Sequence, residues 1–218
     1  AAVVVIVCGA CEQVNAREKI AIIKADDVRG PTAKWKRFIA ISKARKVKVS
    51  CGVIGNSLAS PKPDYRKWLI AEEKSGFVEF WNHGWDHKRW EADGKKVSEF
   101  GGSGYAHQKD HFVKCQQAMT KTIGTAPGSF GTPFNAFDSD TARVLRECKG
   151  SRLLFCYRDP KIDGVVAAKM SLRGEPDGTG RPNSSKFAED YQKKKGKLIF
   201  AAIQFGSVLE NVVYDTES

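Results

Sequence analysis

The chain has 218 residues, 41% hydrophobic and 28% charged, with a net charge of +11 and a pI near 9.4. That size suits one domain with a substantial core, and the composition excludes a disordered or fibrous chain. No run of 18 apolar residues occurs, so the sequence holds no candidate membrane-spanning helix. The positive charge fits an acidic partner such as an anionic glycan, a cell wall or nucleic acid, or simply a solvated basic surface.

Residues 1–10 (AAVVVIVCGA) are apolar and give way to polar residues up to Glu18. Residues 1–18 read as an N-terminal extension: either an extra strand, or the remnant of a signal peptide with Ala10-Cys11 as a degenerate lipoprotein cleavage site. The domain proper is expected over 19–218. The six cysteines, Cys8, Cys11, Cys51, Cys115, Cys148 and Cys156, are scattered. Cys51 and Cys156 lie in apolar runs and read as small buried thiols. Cys8 and Cys11 form a lone C-x-x-C without a second pair, which argues against a zinc knuckle.

Residues 19–25 (KIAIIKA) read as a strand ending in Asp26-Asp27. Two adjacent carboxylates cannot both be buried without a cation or a proton. Arg29-Gly30-Pro31 makes a turn, and Thr32 can cap a helix to about Lys46. That helix is very basic, from Lys34 to Lys46. No aromatic-interleaved nucleic-acid motif accompanies it, and we read it as the outer face of a barrel helix. Residues 47–54 read as a second strand and 64–74 as a helix with Tyr65, Trp68, Leu69 and Ala71 inward.

Residues 77–81 (FVEFW) form a third strand that stops at Asn82 and His83, with His87 four positions on. Imidazoles at i and i+4 can reach one ion if the backbone turns between them. In the zinc protease motif a glutamate follows the first histidine and acts as base; here Gly84 stands there. Residues 88–102 read as a long polar loop, a candidate substrate wall. Residues 103–123 read as a helix carrying a second His-x-x-x-His pair, His107 and His111, taken as a polar helical shoulder. Further strands are expected at 128–131, 152–157, 164–170 and 197–204, with helices at 139–148, capped by Asp138 or Ser139, and 187–195. Alternating strands and helices imply parallel pairing with right-handed crossovers.

KADDVRG resembles the Asp-Asp motif of the polysaccharide deacetylases (NodB-like, carbohydrate esterase family 4), and HGWDH resembles their His-x-x-x-His metal motif. EFWNHGWDH, SEFGGSGYAHQKDH and SFGTPFNAFDSDT are similar to a less studied branch. The resemblance runs from about residue 19 to the C-terminus. It implies a distorted (β/α)7 barrel and metal-dependent deacetylation of a polysaccharide or oligosaccharide. Asp27, His83 and His87 would hold a divalent ion, with zinc expected, and Asp26 would be the catalytic base. Trp85, Phe134 and Asn135 are candidates for substrate contact. The resemblance to glycan enzymes also implies an extracytoplasmic protein.

Two positions depart from the family pattern. The better-known members carry Arg-x-Pro-Tyr, whose arginine orients the base; here the arginine position is Gly131 in Gly-Thr-Pro-Phe. They also carry a late Leu-x-His whose histidine acts as acid; here Gln204 follows Ile203. A neutral amide cannot supply that proton. Glu99 and His111 remain as candidates for an acid. A deacetylase-like domain that binds glycan with impaired chemistry, or a lyase or glycosidase on the same barrel, stay open as alternatives.

Overall fold

The computed structural model describes residues 20–158, 160–174, 183–194 and 198–203. In chain order it contains β1 (Ile20–Val28), α1 (Ala33–Ala44), β2 (Val49–Val53), α2 (Pro63–Lys74), β3 (Val78–Asn82), β4 (Arg89–Ala92), β5 (Lys95–Ser98) and α3 (Tyr105–Ile123). It continues with β6 (Ser129–Gly131), α4 (Ser139–Cys148), β7 (Leu153–Cys156), β8 (Val166–Arg173), α5 (Ser184–Lys193) and β9 (Leu198–Ile203). Seven strands close a barrel in the order β1-β2-β3-β6-β7-β8-β9, every pair parallel. The fold is the expected (β/α)7 barrel. Its distortion shows where β3 and β6 share a single register pair, Asn82 with Phe130, and where the β1–β2 and β8–β9 registers shift. The N-terminal extension over residues 1–18, with its apolar run at 1–10 and Cys8 and Cys11, and Gln204 lie outside the described residues.

Helix starts follow their local chemistry. Thr32 accepts the Trp35 N–H at the head of α1, and Asp138 forms a capping box with Thr141 at the head of α4. One layer of core lies between helices and sheet, where Trp35, Ile39, Tyr65, Leu69, Cys115 and Met119 meet Ala25, Cys51, Val53 and Phe80. Ala71, expected inward, is exposed on α2. Inside the barrel sits a second group without helix residues: Trp81, Phe155, Ala168 and Met170. Trp81 occupies the space over two strand glycines. A Cβ on Gly52 would lie 2.5 Å from its ring, and one on Gly131 2.7 Å. Those two glycines are what let an indole fill the barrel interior.

Two expectations need correction. Residues 88–102 are not one long loop: β4 and β5 form an antiparallel hairpin. Its turn is Asp93-Gly94, both at positive φ (52° and 69°), the pair that a tight hairpin turn requires. The aspartate pair also does not follow the end of β1 but lies within it, at a bulge. From Ala25 to Val28 β1 takes three steps while β2 takes two, from Cys51 to Val53. The extra residue is accommodated at Asp27, which adopts φ 75°.

Candidate metal centre

Two strands build the site, β1 and β3. At the bulge of β1, Asp26 turns into the barrel and Asp27 toward its C-terminal mouth. His83 immediately follows β3, its N–H bonded to Val53 O at 3.0 Å. His87 ends the loop after it. His83 Nε2 lies 3.4 Å and His87 Nε2 3.1 Å from Asp27 Oδ1. His83 Nδ1 is 2.7 Å from the carbonyl of Gly131, which can only accept. Nδ1 therefore carries a proton, which leaves Nε2 as the nitrogen of His83 that can ligate an ion beside Asp27. Asp27 Oδ1 is buried yet makes no hydrogen bond. Two imidazole nitrogens and one oxygen that face each other without bonding form a donor set suited to a divalent cation, with positions left for water.

Burial alone would raise the Asp27 carboxyl, but His83, His87 and Arg29 outweigh it and hold it below the usual carboxylate value. Burial pushes the His87 imidazole below its ordinary value, and the neighbouring His83 adds to the effect, so His87 favours its neutral, ligating form.

Asp26 is 7% exposed. Its Oδ2 accepts from Lys24 Nζ at 2.6 Å, while Oδ1 is buried with no partner. Lys24 is 1% exposed and lies over the rings of Trp81 and Phe155, at 5.2 and 5.9 Å from their centroids. Lys24 was not among the residues expected at the site. The i, i+2 spacing on one strand, which puts both side chains on one face, was the available signal.

The loop between the histidines is shaped by Gly84. It has φ 75°, and a Cβ there would meet both Glu99 carboxylate oxygens at 2.8 Å and Pro133 at 2.9 Å. This explains a glycine where the protease motif has its glutamate. Asn82 steadies the same loop: its Oδ1 accepts the Gly84 N–H, and its amide donates to Phe112 O and Gln116 Oε1.

The remaining candidates separate. The Phe134 ring centroid lies 4.2 Å from that of His87, tilted by 53°, and the Arg89 guanidinium carbon lies 3.7 Å from the Phe134 centroid. Phe134 and Asn135 both have positive φ, 59° and 54°, so this turn beside the site is strained. Trp85 instead turns inward against the helix-side core, its indole against Gly55. Glu99 is fully buried and bonds backbone N–H groups of the histidine loop. Burial would raise its carboxyl, but His111, Trp85 and His87 together hold it below the usual value. It is an acceptor, not a source of protons. His111, read as part of a polar helical shoulder, is buried against Glu99, Nδ1 to Oε1 at 2.9 Å. With Asp86 these two form a second cluster, His111 Nδ1 lying 3.8 Å from Asp86 Oδ1.

A family model described as Polysaccharide deacetylase matches residues 13–151, well over half of the chain. The chain belongs to the polysaccharide deacetylase family. Solved structures similar to this deacetylase-family chain include a carbohydrate esterase family 4 pseudoenzyme from Bacillus anthracis, 10% identical over 87% of this chain, with a TM-score of 0.60. A family 4 carbohydrate esterase from Streptomyces lividans in complex with acetate is 13% identical over 86% of this chain and 79% of its own, with a TM-score of 0.60. The esterase domain of a multidomain xylanase from the hindgut metagenome of Trinervitermes trinervoides is 12% identical over 88% of this chain and 76% of its own, with a TM-score of 0.59. The chain spans 56% of the length of the Bacillus anthracis protein. No curated protein matches the sequence significantly. Among the described residues no helix is long and apolar enough to cross a membrane.

Proposed function

We propose that this chain is a metal-dependent deacetylase of an acetylated glycan, its barrel running from about residue 19 onward. The observation that carries the reading is the convergence of Asp27, His83 and His87 beside a buried Asp26 with one oxygen unpartnered. Asp27, His83 and His87 would hold the ion, with zinc fitting a set of two imidazoles and one carboxylate. When bound, it supplies Lewis acidity toward an acetyl carbonyl and lowers the pKa of water. Asp26 takes a proton at Oδ1, the atom that has no internal partner. Lys24 holds the other oxygen, the part that the family gives to the arginine absent at Gly131. Gly131 O keeps His83 in the ligating tautomer. Phe134 and Arg89 border the site, where a ring and a guanidinium suit a sugar, including an acidic one. The family's glycan chemistry supports a location outside the cytoplasm.

One observation favours a second reading, a domain that binds metal and glycan but turns over poorly. Trp81 fills the space over Gly131 that an arginine would need, and Glu99 is turned to the backbone of the histidine loop. Acetate release from acetylated oligosaccharides, measured with zinc for wild type and Asp26→Asn, separates the two. Release that vanishes in Asp26→Asn supports the enzyme. Glycan binding with no release from wild type leaves the binding domain.

A further inference from the structure

The loop that carries His87 is folded around a carboxylate from another element. Glu99 directly follows β5. Its Oε1 accepts the Trp85 N–H in a short hydrogen bond and the Asp86 N–H at 3.3 Å, and its Oε2 accepts the His87 N–H at 2.7 Å. Three consecutive amides thus converge on one anion, a nest in which the backbone takes the shape the anion dictates. His87 itself sits at φ 56°, a left-handed conformation that is uncommon outside glycine. Glu99 is in turn fixed from the other side. Its own N–H reaches Lys88 O at 3.1 Å, its carbonyl accepts from Ser103 Oγ at 2.8 Å, and His111 on α3 reaches Oε1 at 2.9 Å. Glu99 has no exposed surface, so its charge is viable only with these partners.

Resting on the metal-centre reading above, we infer that Glu99 and His111 are the positioning pair that presets His87 for the ion. Neither touches the donor set. Glu99 acts through the backbone of the loop, and His111 holds Glu99 in place. The hairpin and α3 therefore set metal affinity at a site built from β1 and β3. Replacing Glu99 by Gln keeps the shape but turns an NH2 toward a backbone N–H, donor against donor. The loop then relaxes from His87's strained φ, while Asp27 and His83 keep their positions.

The test is the zinc dissociation constant of the full chain, measured by competition with a chromophoric chelator, for wild type, Glu99→Gln and His111→Gln. Glu79→Gln is the control: Glu79 accepts from Ser50 and Ser129 inside the barrel, away from the histidine loop. Glu99→Gln is expected to weaken zinc by about 10–100-fold, the usual loss when a supporting partner of a ligand is removed. His111→Gln weakens it in the same direction, and Glu79→Gln leaves it near wild type. Backbone amide exchange in the metal-free protein should speed up at Trp85 and His87 in Glu99→Gln. Wild-type zinc binding with an unchanged constant in Glu99→Gln overturns the pair and leaves the metal centre standing. An equal loss in Glu79→Gln reduces the effect to general destabilisation and overturns it too. Wild type that binds no zinc overturns the metal centre and this inference together. If Glu99→Gln does not fold, His111→Gln reads the same constant.

Discussion

Lys24 donates to Asp26 across 2.6 Å, and both side chains are buried, 2% and 10% exposed. Breaking such a pair from one side leaves a bare charge in a closed space. Lys24→Met should therefore cost about 3–5 kcal/mol of stability, read by urea unfolding. The double variant Lys24→Met/Asp26→Leu should recover most of that, since no charge remains stranded. Both should retain metal at Asp27, His83 and His87 and lose acetate release. A double variant no more stable than the single one would show that the pairing is not what the single variant loses.

The donor set predicts ligand-linked stability. Zinc at a hundredfold excess over its dissociation constant should stabilise wild type by about 2.7 kcal/mol, and raise its Tm accordingly. His83→Ala should show neither the shift nor bound metal by elemental mass spectrometry. Equal metal content in both proteins would place the ion elsewhere.

Gly131→Arg should not convert the site to the more familiar family pattern. Its Cβ alone would lie 2.7 Å from the Trp81 ring. Overpacking of that kind costs about 1–3 kcal/mol. The expected result is a lower Tm and no gain in acetate release. A gain would mean that Trp81 can leave the barrel interior and that Lys24 is dispensable.

A pH effect follows from Glu73 on α2, whose Oε2 accepts the Phe80 N–H at 2.9 Å. Burial, aided by the charge of Glu79 and partly offset by the Phe80 N–H, pushes its carboxyl up to about 7. Between its unfolded value near 4.5 and about 7 the native state holds the extra proton, so stability is lost as pH rises through that window. Glu73→Gln should match wild type in Tm at pH 5 and exceed it at pH 8. No difference at pH 8 would mean that Glu73 is solvated when charged.

The barrel was legible because alternation of apolar runs with capped helices is a local signal, and Thr32 and Asp138 mark helix starts through their own side chains. The residues that converge at the site were legible because polar groups interrupt apolar runs at Asp26 and His83. The hairpin at 89–98 was not read, because β4 and the start of β5 are exposed and show no apolar alternation; only Asp93-Gly94 marked it. Trp85 and Glu99 could not be placed from sequence. An indole beside a histidine can face a sugar or a core, and a glutamate after a strand can face solvent or a nest of amides. Those choices are made by contacts far along the chain, Gly55 for one and His111 for the other.

The bulge in β1 has a consequence for how the site tolerates change. In an unbroken strand, adjacent side chains alternate between faces, so Asp26 and Asp27 could not both serve one mouth. Ala25 and Val28 both belong to the helix-side core, which they reach only because the strand carries one residue more than its neighbour between them. The two carboxylates are thus a property of the strand's phase as much as of its letters. Removing a single residue there would leave every ligand-type side chain but one in the sequence, yet restore plain alternation and dismantle the pair.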